Sequence, residues 1–160
     1  MDESSILETT AEVSVAFAGF IGIFLVLATR DGRFQPVEAW GIRLIVICSV
    51  APVFYSAVPL VLNSLGISGS MLWRISSSAI GLSGVAIAPY MARQMRALPP
   101  GEGRTLNLMF WLGVVAVLCV LANALGWPWA PSGGLYLLTV WSIIGIAAGN
   151  FVELIFRKVL

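Results

Sequence analysis

Five long apolar stretches constrain the fold of this chain more than any other feature of its sequence. They cover residues 8–29, 40–64, 71–93, 106–126 and 135–156. A helix of about 20 apolar residues crosses the ~30 Å hydrocarbon core of a bilayer, and each stretch reaches that length. The sequence therefore predicts an all-α integral membrane protein, built as a bundle of five transmembrane helices.

The composition agrees with a location in the membrane. Of the 160 residues, 59% are hydrophobic and only 11% are charged, far from the usual fractions in soluble domains. The connections between the apolar stretches are rich in Gly, Pro or charge and are too short to hold a second folded unit. We therefore predict that residues 1–160 form a single transmembrane domain.

The distribution of basic residues predicts an orientation. Eight of the nine Lys and Arg residues lie at one end of the predicted bundle, and only Arg74 lies at the other. The eight are Arg30, Arg33, Arg43, Arg93, Arg96, Arg104, Arg157 and Lys158. Because Lys and Arg accumulate in cytoplasmic loops, we predict that the N-terminus is outside and the C-terminus is cytoplasmic. The membrane that we expect is the bacterial cytoplasmic (inner) membrane.

Several kinds of chemistry are excluded by missing residues. Histidine is absent, which excludes an imidazole-ligated haem, a zinc site with histidine ligands and a histidine proton relay. Cys48 and Cys119 lie in separate apolar stretches, and we expect buried, unreactive thiols. The GxxxxGKS/T, HExxH and GxSxG patterns are also missing. We expect no enzyme activity, cofactor or bound metal, and the net charge of +1 favours no nucleic-acid partner.

The first apolar stretch carries an acid, Glu12, about one turn inside its N-terminal end. Steps of three and four residues place it on one helical face with a second acid, two glycines and two valines. These residues are Glu8, Glu12, Val15, Gly19, Gly22 and Val26. An ionised carboxylate at this depth costs ~1–3 kcal/mol unless it meets water, a cation or a partner. Reaching outward to the headgroups, pairing with Arg74 or becoming protonated would each relieve that cost.

A functional interpretation uses the whole face. If several copies assemble with the first helix innermost, Glu12 forms a ring of acids near the outer mouth, with Glu8 above it. Val15, Gly19 and Gly22 then lie below the ring, with Phe20 and Phe24 as candidate constrictions. Acidic rings attract cations, and apolar constrictions gate by dewetting. We therefore predict a homo-oligomeric ion channel or small ion transporter that conducts cations, with the first helix lining the pathway.

The last apolar stretch contributes two further candidates, Asn150 and Glu153. They are predicted to line the inner mouth of the pathway. Alternatively, Glu153 lies four residues before Arg157, and an ion pair at this spacing satisfies the acid without any role in transport.

Two other functions stay open. A non-conducting accessory or scaffold subunit would bind a larger membrane-protein partner through its small-residue faces. A carrier of lipid or of a small amphiphile would use a helix kink at Pro52 and Pro59, because each proline frees a carbonyl one turn earlier.

The third stretch has two interpretations. Ser77, Gly81, Gly84 and Ala88 recur at helical spacing, which is typical of a close helix–helix seam in a membrane. Alternatively, serines at positions 76, 77, 78 and 83 line a polar pathway.

Residues near the predicted helix ends indicate where the helices meet water. Gly66 and Gly126 are the last residues of the similar runs LNSLG and ANALG, and both are placed to end a helix. The two runs indicate either a repeated helical hairpin or independent capping. Several aromatic residues are expected to anchor the helices in the membrane interface. They are Trp40, Trp73, Trp111, Trp127, Trp129 and Tyr136.

Overall fold

The computed structural model describes residues 3–28, 35–98 and 104–159, and within these ranges it consists of five α-helices. The helices are α1 (Glu3–Ala28), α2 (Pro36–Ser64), α3 (Gly69–Arg96), α4 (Arg104–Leu125) and α5 (Gly133–Val159). Each contains a segment long and apolar enough to cross a membrane. The predictions of an all-α fold and of five helices that are long and apolar enough to span a membrane are therefore confirmed.

Helices α2 to α5 form a four-helix bundle, and α1 lies on its outside. In the bundle, α2 packs against α3 and α5, and α4 packs against the same two helices, while α1 packs mainly on α2 and also contacts α5. Successive helices run antiparallel because short connections join them. We call the end that carries Arg93 and Arg96 the basic end, and the end that carries the exposed Trp127 and Trp129 the aromatic end.

Three apolar clusters hold the helices together. The aromatic half of the bundle contains a cluster around Trp73 and Tyr136, and the basic half contains one around Trp40 and Met91. The third cluster joins α1 to α2 and α5 and includes Ile21, Ile45, Phe151 and Leu154. In a bilayer such contacts act through close packing, because lipid tails are as apolar as the side chains themselves.

Three of the aromatic residues predicted as interfacial anchors lie in the core instead. Trp40 is 3% exposed, Trp73 is 6% exposed and Tyr136 is fully buried. The prediction was wrong for these three because proximity to a helix end fixes depth in the membrane, but not the direction in which the side chain points. Trp111, Trp127 and Trp129 are exposed, as interfacial anchoring requires.

The two predicted helix stops are confirmed. Gly66 has φ 82° and Gly126 has φ 75°, a backbone conformation that favours glycine. Ile67 N–H donates to Leu62 O at 3.0 Å, and Trp127 N–H donates to Ala122 O at 3.0 Å. These six-to-one bonds are those of a Schellman cap, and they satisfy carbonyls at the ends of α2 and α4.

The predicted small-residue seam on α3 lies against α4. A Cβ added to Gly81 would overlap the Leu121 side chain, with Leu121 Cγ at 2.8 Å. A Cβ added to Gly84 would overlap Val117, whose Cγ1 would be 3.2 Å away. The absence of these two Cβ atoms therefore sets how closely α3 and α4 approach.

The two cysteine side chains are more exposed than the sequence predicted. Both cysteines are free, but Cys119 is exposed on α4 and Cys48 is half-buried on α2. The expectation that both thiols are buried was wrong for Cys119, because that side chain lies on the outer surface of α4.

Candidate functional site

Helix α1 attaches to the bundle through one face. Leu7, Thr10, Ser14 and Ile21 on this face are each at most 2% exposed. Thr10 Oγ1 donates to Ile6 O at 2.6 Å, and Ser14 Oγ donates to Thr10 O at 2.7 Å. Because both hydroxyls are satisfied within α1 itself, the buried face needs no polar partner from α2 or α5.

The acidic face predicted from the sequence points away from the bundle. All six of its members are exposed, with Val15 at 58% and Val26 at 67%. The other four members are Glu8, Glu12, Gly19 and Gly22. A Cβ added to either glycine would meet no atom within 4 Å. Within residues 3–28, 35–98 and 104–159, this face of α1 is therefore exposed on the surface of the bundle.

Glu12 finds no partner among the described residues of its own chain. Arg74, the partner considered from the sequence, lies at the aromatic end beside α4, where its Nη2 would be 3.5 Å from a Cβ at Gly126. No ion pair joins Glu12 to Arg74, which are both exposed. Helix α1 begins at Glu3, which places Glu12 about 13 Å along the helix from its first residue. The acid is therefore well inside the apolar helix.

The two predicted constriction residues separate in the structure. Phe24 is half-buried and packs edge-to-face on Phe151 of α5 at a centroid distance of 5.0 Å. Phe20 also contacts Phe151, at 5.6 Å, but stays 57% exposed. Phe20 therefore remains on the free side of α1, whereas Phe24 belongs to the contact between α1 and α5.

The two predicted inner-mouth residues lie on α5, in the half of that helix toward the basic end. Asn150 is 1% exposed, and its Nδ2 donates to Ile146 O at 2.7 Å. Its Oδ1 has no hydrogen-bond partner among the described residues. Glu153 is half-buried, and the side chain of Arg157, its proposed partner, lies outside the described residues. The buried Asn150 and the exposed face of α1 do not meet within one copy of the chain.

Both prolines predicted to kink α2 are buried inside a helix that continues without interruption. Pro59 removes the amide that would bond to Tyr55 O, four residues earlier. The Tyr136 hydroxyl of α5 donates to that carbonyl instead. The Tyr55 hydroxyl in turn bonds to Ser83 Oγ of α3 at 2.6 Å. Pro59 thus frees the carbonyl through which α5 contacts α2, and the Tyr55 side chain separately links α2 to α3.

Removing the Tyr136 hydroxyl is expected to lower the free energy of unfolding by about 1 kcal/mol, the usual scale of a hydrogen bond between membrane helices. In a Pro59→Ala background the loss from Tyr136→Phe should shrink, because residue 59 then supplies an amide for Tyr55 O. A double-mutant cycle measured by SDS titration in mixed micelles checks this coupling. Equal losses in both backgrounds would contradict it.

A second polar contact closes the aromatic end. Asn123 of α4 is 1% exposed, and its Nδ2 donates to Ser77 Oγ at 2.9 Å and to Ser132 O at 3.0 Å. Ser132 N–H donates to Asn123 Oδ1 at 3.0 Å. The amide therefore ties α4 to α3 and to the connection that leads into α5. Asn63, in the corresponding position of α2, is exposed.

The serines of α3 do not line one polar pathway. Ser77 bonds to Asn123, and Ser83 bonds to Tyr55. Ser78 bonds to Arg74 O at 2.8 Å within its own helix. The fourth, Ser76, is fully buried, and its Oγ has no partner among the described residues. Three of these four hydroxyls therefore form hydrogen bonds within α3 or to a neighbouring helix.

The basic half of the bundle contains an apolar cavity of about 680 Å³ between α2, α3 and α4, with α5 behind it. Sequence reasoning missed this cavity. Most of its lining residues are apolar side chains of four helices, and no local pattern indicates that the helices separate there.

Comparison of the chain with family models, with curated proteins and with solved structures found no match. The function is therefore argued from the geometry of the chain itself.

Proposed function

We propose that this protein assembles into a homo-oligomeric, cation-conducting channel or small ion transporter in which α1 lines the pathway. The observation that carries the proposal is the exposed acidic face of α1. This face lies away from the residues that attach α1 to α2 and α5, and the described part of the chain leaves it exposed.

In a membrane, exposure of this acidic face to lipid carries a free-energy cost for a single copy of the chain. An ionised Glu12 facing lipid costs ~1–3 kcal/mol, and no described group of the same chain offsets that cost. Symmetric association through α1 would surround the acids with water and cations. Val15, Gly19, Gly22 and Phe20 continue along the exposed side of α1, where small and apolar residues permit close approach and a dewetting gate.

A cation path through the interior of one chain is less favourable than a path enclosed by several copies. The aromatic half of the four-helix bundle is filled by an apolar cluster and is crossed by the contacts of Tyr136 and Asn123. A conducting path enclosed by several copies needs no opening through these contacts. Closed symmetric assemblies are also the common form of homo-oligomers.

The proposed orientation follows the distribution of basic residues. We place the basic end in the cytoplasm and Glu12 on the outer side, in the inner membrane of a bacterium. In this orientation cations reach the acidic ring from outside the cell.

The test is cation flux through the purified protein in liposomes. Wild-type oligomers should pass cations, and Glu12→Gln should reduce the flux by about tenfold, because an acidic ring raises the local cation concentration. Glu12→Asp keeps the charge and should retain most of the flux. A well-formed oligomer that passes no cations, or a Glu12→Gln variant with wild-type flux and selectivity, would refute the proposal.

A non-conducting scaffold subunit is the second candidate. It is favoured by the open space beside Gly19 and Gly22, which accepts the backbone of any closely packed helix. Under this alternative a larger membrane protein copurifies from native membranes, and Gly19→Leu removes it. The isolated chain then stays monomeric and does not conduct.

A further inference from the structure

The apolar cavity between α2, α3 and α4 is deep enough to take a hydrocarbon chain. On α3 its lining extends from Gly84 to Arg96, the last residue of the helix. Twelve residues of α-helix rise by about 18 Å, close to half of the ~30 Å hydrocarbon core. On α4 the lining extends from Asn107 to Leu121, a rise of about 21 Å, so the cavity starts at the basic end and reaches past the middle of the helix.

The wall of the cavity is suited to a flexible hydrocarbon chain. Three of the five methionines of the protein line it, namely Met91, Met95 and Met109. Methionine side chains adapt to irregular apolar partners. The volume of about 680 Å³ lies within the range of ~300–1,000 Å³ that is typical of small-molecule sites. Apolar cavities do not retain water, so a cavity of this kind in a membrane favours an apolar occupant.

Polar groups are concentrated at the basic end of the cavity. Arg96 is the only charged residue among the described residues that line it, and Asn107, in the first turn of α4, lines it at the same end. Arg43 and Arg93 add positive charge to this end, and Arg43 Nη1 donates to Tyr90 Oη at 3.4 Å, which links α2 to α3. A guanidinium and an amide at the same end of a cavity both supply N–H donors for a phosphate group.

We infer that this cavity binds one acyl chain of an anionic phospholipid, with the phosphate held at Arg96 and Asn107. The apolar depth accepts the chain, and the positive end selects the headgroup. The site is separate from the exposed face of α1, and it does not depend on ion conduction.

The first test fills the cavity. Delipidated protein in detergent is titrated with phosphatidylglycerol and followed by native mass spectrometry. Ala88 lines the cavity, whereas Ala86 of the same helix is exposed and does not. Ala88→Phe should weaken lipid binding by about tenfold, because it removes the space for the chain, and Ala86→Phe should bind as wild type. Equal binding by these two variants would overturn the inference.

The second test removes the positive charge of Arg96. Its outcome does not depend on whether Ala88→Phe folds. Wild-type protein should bind phosphatidylglycerol about fivefold more tightly than phosphatidylcholine with the same acyl chains, and Arg96→Gln should lose this preference. Arg74→Gln, at the opposite end of α3, is the control and should retain it. Equal affinity of the wild type for both lipids, or an unchanged preference in Arg96→Gln, would overturn the assignment of the headgroup site.

Discussion

Replacing Asn123 by alanine should lower the free energy of unfolding by about 2 kcal/mol. Its side chain takes part in three hydrogen bonds, with Ser77 Oγ, Ser132 O and Ser132 N–H. Individual hydrogen bonds between membrane helices contribute ~0.6 kcal/mol on average, and a buried group left without a partner adds to the loss. SDS titration in mixed micelles measures the change.

Asn63→Ala is the matched control for this prediction. Asn63 lies three residues before Gly66, as Asn123 lies three residues before Gly126, but its side chain is exposed. Its replacement should change the free energy of unfolding by less than about 0.5 kcal/mol. Hydrogen exchange gives an independent measurement, because the Ser132 amide should exchange faster only in Asn123→Ala. Equal destabilisation by both variants would mean that Asn123 acts only as a capping residue.

Valine at both Gly81 and Gly84 should destabilise the protein by about 3 kcal/mol. The added Cβ atoms would overlap Leu121 and Val117 of α4, which must turn or move outward. Overpacking costs ~1–3 kcal/mol at each position, and the better helix propensity of valine returns only a few tenths. The same SDS titration measures the loss.

Valine at both Gly19 and Gly22 is the control for the double variant of α3. A Cβ at either position meets no atom of its own chain within 4 Å, so the stability of the single chain should hardly change. Under the proposed function this control should instead weaken the oligomer, because the two glycines then lie at the contact between copies. Size-exclusion chromatography separates the two effects. A control variant as unstable as the α3 variant would contradict the assignment of the seam.

Several features of the fold could be predicted because they depend on local chemistry. Apolar length alone identified the five helices, and glycine after the last turn identified the ends of α2 and α4. The helix boundaries in the structure differ from the predicted ones where polar residues extend a helix beyond its apolar stretch. Helix α1 begins at Glu3 and not at residue 8, and its early turns bury Leu7 and Thr10 against the bundle.

Other features required the tertiary structure. The spacing of Glu12, Gly19 and Gly22 placed them on one face, but could not say whether that face met the bundle or pointed outward. The same limit explains Trp40 and Tyr136, whose positions near helix ends did not reveal that they point inward. Periodicity fixes angles within a helix, whereas the neighbour that each face meets depends on how all five helices pack.

The sequence by itself thus determined the membrane class, the five helices and the shared face of Glu12 with the two glycines, because length, hydropathy and helical period are local properties. Only the tertiary structure decided that this face is left uncovered, that Tyr136 satisfies the carbonyl freed by Pro59, and that a cavity opens beside Arg96. Each of these depends on the relative placement of side chains from different helices, which no single stretch of the chain encodes.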